Sequence, residues 1–315
     1  MFSQMFYPVT LGKYFLFALQ RRKDVEIYSV GPYTGTFIPW KGGIHLPDKY
    51  SAPPDLPLSS QLCGQLHLSP KIVEHQLPWE PDLWINVDAG FGFSKPECPY
   101  AVIATDPHVH SHYTAYREQI KHSSDMRFYN MQYYYMKEGD KYLPYAADPI
   151  WHAPLEREKE YDVCLIGLQY ENRTTLVNRL RSRGLKVYYD TGPCYAEYQE
   201  LYAKSRIAFS WSSKKDLIAR VFEGMAMQIP VVCNRVPDMP THFVDGEHYY
   251  GFGDFNRGGD PWTKHDVDEA EAQIHLALAN YDDASQVASN AHNKIFAQHL
   301  YDFRISQIFD DFGLT

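Results

Sequence analysis

Cysteine is scarce: Cys63, Cys98, Cys164, Cys194 and Cys233 are the only five among 315 residues. The number is odd, the spacing is wide and no CxxC pair occurs. This argues against a disulfide framework or a structural zinc site and fits a reducing cytoplasm. No uninterrupted apolar run is long enough to span a bilayer. The N-terminal stretch MFSQMFYPVTLGKYFLFALQRRK has no basic segment ahead of its apolar residues and no small-residue cleavage site. With Pro8, Gly12 and Lys13 inside it, it reads as strand, loop and first helix rather than as a signal peptide. Positive charge is not in excess, since 39 Asp and Glu outnumber 30 Lys and Arg and leave a formal charge of −9. That balance disfavours a broad nucleic-acid-binding face but leaves room for a local basic groove. Internal repeats and low-complexity tracts are absent too.

What remains is a soluble globular composition, 44% apolar and 22% charged, with 25 tyrosines. The length favours two domains over a single core. The first half alternates short apolar runs with helical or polar stretches. FSQMFY, VEIYSVG, PDLWINVDAG and AVIATDPH read as strands, and residues 10–22 have helical apolar spacing through Leu11, Tyr14, Phe15, Ala18 and Leu19. Residues 141–163 are broken by Pro144, Pro149 and Pro154 and carry the charge cluster EREKE, as a linker does. A second alternation follows. YDVCLIG, LKVYYD, RIAFSWS and IPVVCN are strands, separated by helices over 172–183, AEYQELYAKS and DLIARVFEGMAMQ, the last with Asp216 or Ser213 as its N-cap. The tail from about residue 265 is helical. The pattern predicts an α/β chain of two doubly wound parallel-sheet units, whose ligands bind at the C-terminal strand ends.

Three groups of residues carry candidate chemistry. Gly167 ends a strand ahead of a helix start, where free N–H groups and a partial positive charge suit phosphate, and Arg173 lies close by. Arg220 and Glu223 stand one helical turn apart in the apolar run LIARVFEGMAMQIPVV. They either pair with each other or face a ligand, the guanidinium suiting a diphosphate and the carboxylate a cis-diol. Asp106, His108, His110 and His112 follow a strand in TDPHVHSHY. They suggest a loop of ordinary polar residues, a metal site with Asp88 nearby, or one general base from the Asp106–His108 pair. Tyr133, Tyr134 and Tyr135 suggest either core packing or a stacking surface.

Five stretches occur in the order of a known family: LPYAADPIWHAP, DVCLIGLQYENR, ELYAKSRIAFSWS, ARVFEGMAMQIPVV, and FVDGEHYYGF followed by a helical tail with HLYDFR. Across about residues 142–304 the chain resembles the glycosyltransferase group 1-like domain of the spore-maturation-protein type. The resemblance implies the GT-B fold: a Rossmann-like acceptor-side domain over 1–153, a nucleotide-sugar-binding domain over 154–298 facing it across a cleft, and a helix over 299–315 returning to the first domain. It implies transfer of a hexose from a nucleoside-diphosphate sugar, most readily a UDP-sugar, to an acceptor hydroxyl on a small molecule, a glycan or a hydroxymethylated DNA base. No metal or other cofactor is implied. Glu223 falls at the family's ribose-binding carboxylate, and Arg220 and Arg173 where cations meet the diphosphate; Asp106 or His108 would be the base of an inverting enzyme. Two positions depart from the family. Gln228 replaces the usual glycine before Ile229-Pro230, and Lys215, beside Asp216, stands where retaining relatives carry an acid. The rival readings are a metal-dependent hydrolase on His108, His110 and His112, a non-catalytic nucleotide-sugar-binding module, and a sugar-nucleotide epimerase.

Overall fold

A computed structural model describes residues 2–4, 11–32, 36–37, 44–45, 55–58, 73–87, 95–108, 113–256 and 261–314. His110, His112 and Asp88 lie outside these residues. The chain divides into two units, Met1–Pro144 with Tyr301–Thr315, and Tyr145–Leu300.

The first unit contains β1 (Phe2–Gln4), β2 (Ser29–Pro32), β3 (Thr36–Phe37), β4 (Ile44–His45), β5 (Leu56–Leu58), β6 (Trp84–Val87), β7 (Tyr100–Ala104), β8 (Met126–Asn130) and β9 (Lys141–Tyr142). Seven of them form one sheet in the order β5-β2-β1-β6-β7-β8-β9. Every neighbouring pair is parallel, and β3 and β4 make a separate antiparallel ribbon. All side chains of WINV and YAVIA are buried. A parallel sheet covered on both faces demands such continuous buried runs rather than alternation, and the one polar side chain among them, Asn86, donates to the Tyr100 hydroxyl at 2.9 Å.

Helix Gly12–Arg21 buries Tyr14, Phe15, Ala18 and Leu19. Helix Tyr301–Phe312 packs beside it: Tyr301 stacks on Tyr14 at 5.5 Å and meets Phe15 edge-on at 4.9 Å. Arg21 grips Asp302 through Nε and Nη2 at 2.9 and 2.7 Å. Asp311 accepts from the Tyr129 hydroxyl at 2.9 Å and pairs with Lys141 at 2.5 Å. Arg304 is buried and donates to the Pro144 carbonyl at 2.7 Å; burial pushes its pKa down to about 10.

The second unit holds β10 (Tyr161–Ile166), β11 (Val187–Asp190), β12 (Ser205–Ser210), β13 (Val231–Asn234) and β14 (Tyr250–Phe252) in the order β11-β10-β12-β13-β14. All are parallel. Helices Glu171–Ser182, Tyr195–Ala203 and Ala219–Ala226 make the crossovers. The strand order reverses between β10 and β12, so the switch-point crevice lies beyond their C-terminal ends. Val163, Leu165, Ile207, Phe209, Trp211 and Phe252 fill the core beneath it.

Two expectations need correction. The unit boundary falls after Pro144, not after residue 153. The intervening segment is tied into the second unit, because Ala147 N–H donates to the His299 carbonyl at 2.8 Å and His152 is fully buried. The helix expected from Asp216 starts at Ala219, with Ile218 as an N-cap that lends no side chain. Asp216 is occupied elsewhere: its carboxylate accepts the Ser212 hydroxyl in the turn after β12. The tail is helical from Lys264, as expected, in three helices, Lys264–Ala279, Tyr281–Gln298 and Tyr301–Phe312. The first is opened by a capping box between Thr263 and Asp266, which satisfies two N–H donors that have no partner within the helix. Among the described residues no helix is long and apolar enough to cross a membrane.

Candidate donor site at the switch point of the second sheet

β10 ends at Gly167, whose N–H donates to the Asp190 carbonyl at 2.9 Å. A Cβ at this position would lie 3.1 Å from Cζ and Nη1 of Arg220 and 3.4 Å from Nη1 of Arg173. Glycine therefore lets two guanidinium groups close on the backbone at the strand end.

The two cations are used differently. Arg173 is buried in the first turn of helix Glu171–Ser182. Nε, at 3.0 Å, and Nη2 both donate to the Trp211 carbonyl, and Nη1 donates to the Leu168 carbonyl at 2.8 Å. Its guanidinium also lies 4.8 Å above the Tyr170 ring. Burial, then the charge of Arg220, push its pKa down to about 10. Arg173 thus clasps the ends of β10 and β12 together and contributes charge, but most of its donors are spent. Arg220 is half-buried in the first turn of helix Ala219–Ala226 and makes no hydrogen bond or ion pair with any described residue. Its donors meet no acceptor among the described residues while a second cation stands beside it. An anion answers both conditions.

Glu223, one turn along, does not pair with Arg220. It is buried, and its Oε2 accepts the Tyr198 hydroxyl at 2.5 Å. Burial and the charge of Glu223 hold the Tyr198 phenol well above its ordinary pKa, so it remains a donor. On the other side, His152 Nε2 stands 3.8 Å from Glu223 Oε1. His152 Nδ1 accepts the Asp148 N–H at 2.9 Å, so a neutral ring carries its proton on Nε2, facing the carboxylate. Asp148 in turn accepts the N–H groups of Ile150 and Trp151 at 2.9 and 3.0 Å, which folds DPIWH into a tight turn. Glu223 is therefore a positioned acceptor of hydrogen bonds.

Four of the residues singled out from sequence, Gly167, Arg173, Arg220 and Glu223, belong to this unit. Asp106 and His108 belong to the other, just beyond the end of β7, where His108 stacks on Tyr135 at 4.1 Å. Sequence reasoning missed Tyr198 and His152. The signal for Tyr198 was the buried pair Tyr198 and Tyr202 one turn apart in AEYQELY; for His152 it was the conjunction of Asp148 and His152 across one turn.

Residues 149–310, just over half of the chain, match the model of the glycosyl transferase-like family. The chain belongs to that family, and it is a sugar-transferring enzyme. No curated protein sequence matches it. Among solved structures it is similar to an alpha-glucosyltransferase in complex with UDP-glucose and DNA containing an abasic site, with TM-score 0.63, 10% identity, and 99% of this chain and 98% of that one covered. HepE of Anabaena, in complex with UDP and glucose, gives TM-score 0.62 at 12% identity over 100% and 99%. A sucrose-phosphate synthase from Thermosynechococcus elongatus gives 0.59 at 11% over 90% and 88%. At these identities the likeness shows the fold, which is GT-B.

Proposed function

We propose that this glycosyltransferase uses a nucleoside-diphosphate hexose, a UDP-sugar in the first instance, and binds it at the switch point of the second unit. One observation carries the reading. Arg220 is a guanidinium with no partner among the described residues, held against the Gly167 backbone, beside Arg173 and one turn from the oriented carboxylate of Glu223. The diphosphate takes the Arg220 donors, and the ribose hydroxyls donate to Glu223. UDP in two of the similar structures supports the choice of base. The free thiols of Cys98, Cys164, Cys194 and Cys233 suit a reducing cytoplasm.

In transfer, the bond from the anomeric carbon to the β-phosphate oxygen breaks and its electron pair stays on the diphosphate. An acceptor hydroxyl oxygen bonds to the anomeric carbon. Its proton passes to Asp106 or His108 in an inverting reaction, or to the leaving diphosphate in a retaining one. Arg220 stabilises the growing diphosphate charge, an effect of about 2.7–4 kcal/mol per well-placed donor. With two guanidiniums supplying the positive charge, donor binding needs no metal ion. Calorimetric titration with UDP tests this reading. Binding in wild type that weakens about tenfold or more in Arg220→Ala supports it; equal affinity in both removes Arg220 from the site.

A further inference from the structure

Tyr133, Tyr134 and Tyr135 form a single 3-10 turn that begins after Met131 and Gln132, beyond the end of β8. Core packing does not consume them: Tyr133 and Tyr134 are 56% and 48% exposed, among the most exposed large hydrophobic side chains described. They are nevertheless braced. Tyr135 lies flat on His108 at 4.1 Å with 11° between the rings. Tyr134 meets Tyr135 edge-on at 5.0 Å, and Tyr133 meets Tyr142 edge-on at 5.4 Å. Ala104 and Asn130 pair at the C-terminal ends of β7 and β8, so this turn and the Asp106–His108 segment leave the same edge of the first sheet. Three consecutive rings kept at a ligand-facing sheet edge, two of them in solvent, form a stacking platform.

The surrounding charge indicates the ligand. Arg117 is committed to Asp140 at 2.7 Å and Lys141 to Asp311 at 2.5 Å. Lys137 is followed by Glu138, and Asp106 lies at the same edge, so among the described residues carboxylates here outnumber cations by one. A phosphate backbone needs a surplus of positive charge, which the described residues of this surface do not supply. A neutral pyranose has an apolar C–H face that suits the electron-rich face of a tyrosine, and hydroxyls that suit the phenol oxygens.

We propose that Tyr133 and Tyr134, braced by Tyr135 and His108, bind a neutral saccharide ring, and that this is the acceptor subsite of the enzyme. The acceptor role rests on the proposed function; binding of the saccharide to the platform does not.

The test is saturation-transfer NMR of the full chain, without donor, against maltotriose, cellotriose and chitotriose, each also tried as an acceptor. At least one should bind wild type. The double variant Tyr133→Ala/Tyr134→Ala should lose about tenfold or more in saccharide affinity, as removal of one stacking contact commonly does. Tyr133→Phe/Tyr134→Phe should retain most of it. UDP affinity, and a melting temperature measured alongside, should be unchanged in both. Failure of all three saccharides to bind, or equal binding by the double alanine variant, overturns the proposal. So does loss, in that variant, of salt-sensitive binding to a 13-mer DNA duplex with no saccharide binding in wild type. UDP failing to bind wild type would sink the donor reading instead, and the saccharide result would stand separately.

Discussion

The Tyr198 hydroxyl donates to Glu223 Oε2 at 2.5 Å, and both groups are buried. The bond fixes which way the carboxylate points, leaving Oε1 toward His152. In Tyr198→Phe the carboxylate loses a donor but gains no competitor. The expected cost is about 1.5–3 kcal/mol, or roughly ten- to a hundredfold in donor KM, if that donor sets the geometry of ribose binding. Steady-state kinetics with varied donor at saturating acceptor checks this. The acceptor KM should not move.

Arg173 and Arg220 should separate stability from binding. Arg173→Ala strands the carbonyl of Trp211 at the end of β12 and leaves that of Leu168, at the end of β10, with the Tyr170 N–H as its remaining donor. Partial relief from burying a cation offsets some of this, so we expect a loss of about 2 kcal/mol. Arg220→Ala breaks no hydrogen bond to a described residue and should stay within about 0.5 kcal/mol of wild type. Denaturant melts of the two variants give the comparison directly.

Gln228 should be improvable. It adopts φ 57° directly after helix Ala219–Ala226 and is exposed, at the position where the family usually has glycine. A left-handed non-glycine residue costs about 1–2 kcal/mol, part of which glycine returns as unfolded-state entropy. Gln228→Gly should therefore gain about 1 kcal/mol and raise the melting temperature by about 2–4 °C. UDP affinity should be unaltered.

Chelation should have no effect on the donor. If Arg220 and Arg173 carry the diphosphate, UDP binding in excess EDTA should match binding in magnesium within about twofold. A loss of about tenfold or more on chelation would favour a metal-bridged diphosphate.

Much of the second unit was legible from its sequence, because its central strands are apolar runs bounded by glycine, proline or a polar loop, whereas the edge strand β14 was not foreseen. VCLI, IAFS and VVCN all emerged as buried strands. The helix start at Ala219 was not legible. Asp216 is a good N-cap by type, but a short-range bond to Ser212 takes its carboxylate, and only the three-dimensional turn reveals that competition. Arg220 and Glu223 were legible as a pair on one face. Their not pairing was invisible, since Tyr198 and His152 reach Glu223 from 25 and 71 residues away in sequence. The division was expected after residue 153 rather than after Pro144 for a similar reason. Proline and charge mark residues 141–163 as a linker, yet Asp148 and His152 there are fully buried.

The central claim is that sugar transfer depends on Arg220 and Glu223 as donor contacts in an otherwise intact fold. Release of nucleoside diphosphate from UDP-hexoses, measured for wild type, Arg220→Ala and Glu223→Ala alongside their melting curves, tests it most directly. We predict turnover by wild type with at least one UDP-hexose, and a loss of about a hundredfold or more in kcat/KM in each variant. Melting temperatures should stay near that of wild type. Undiminished release by either variant would contradict the account.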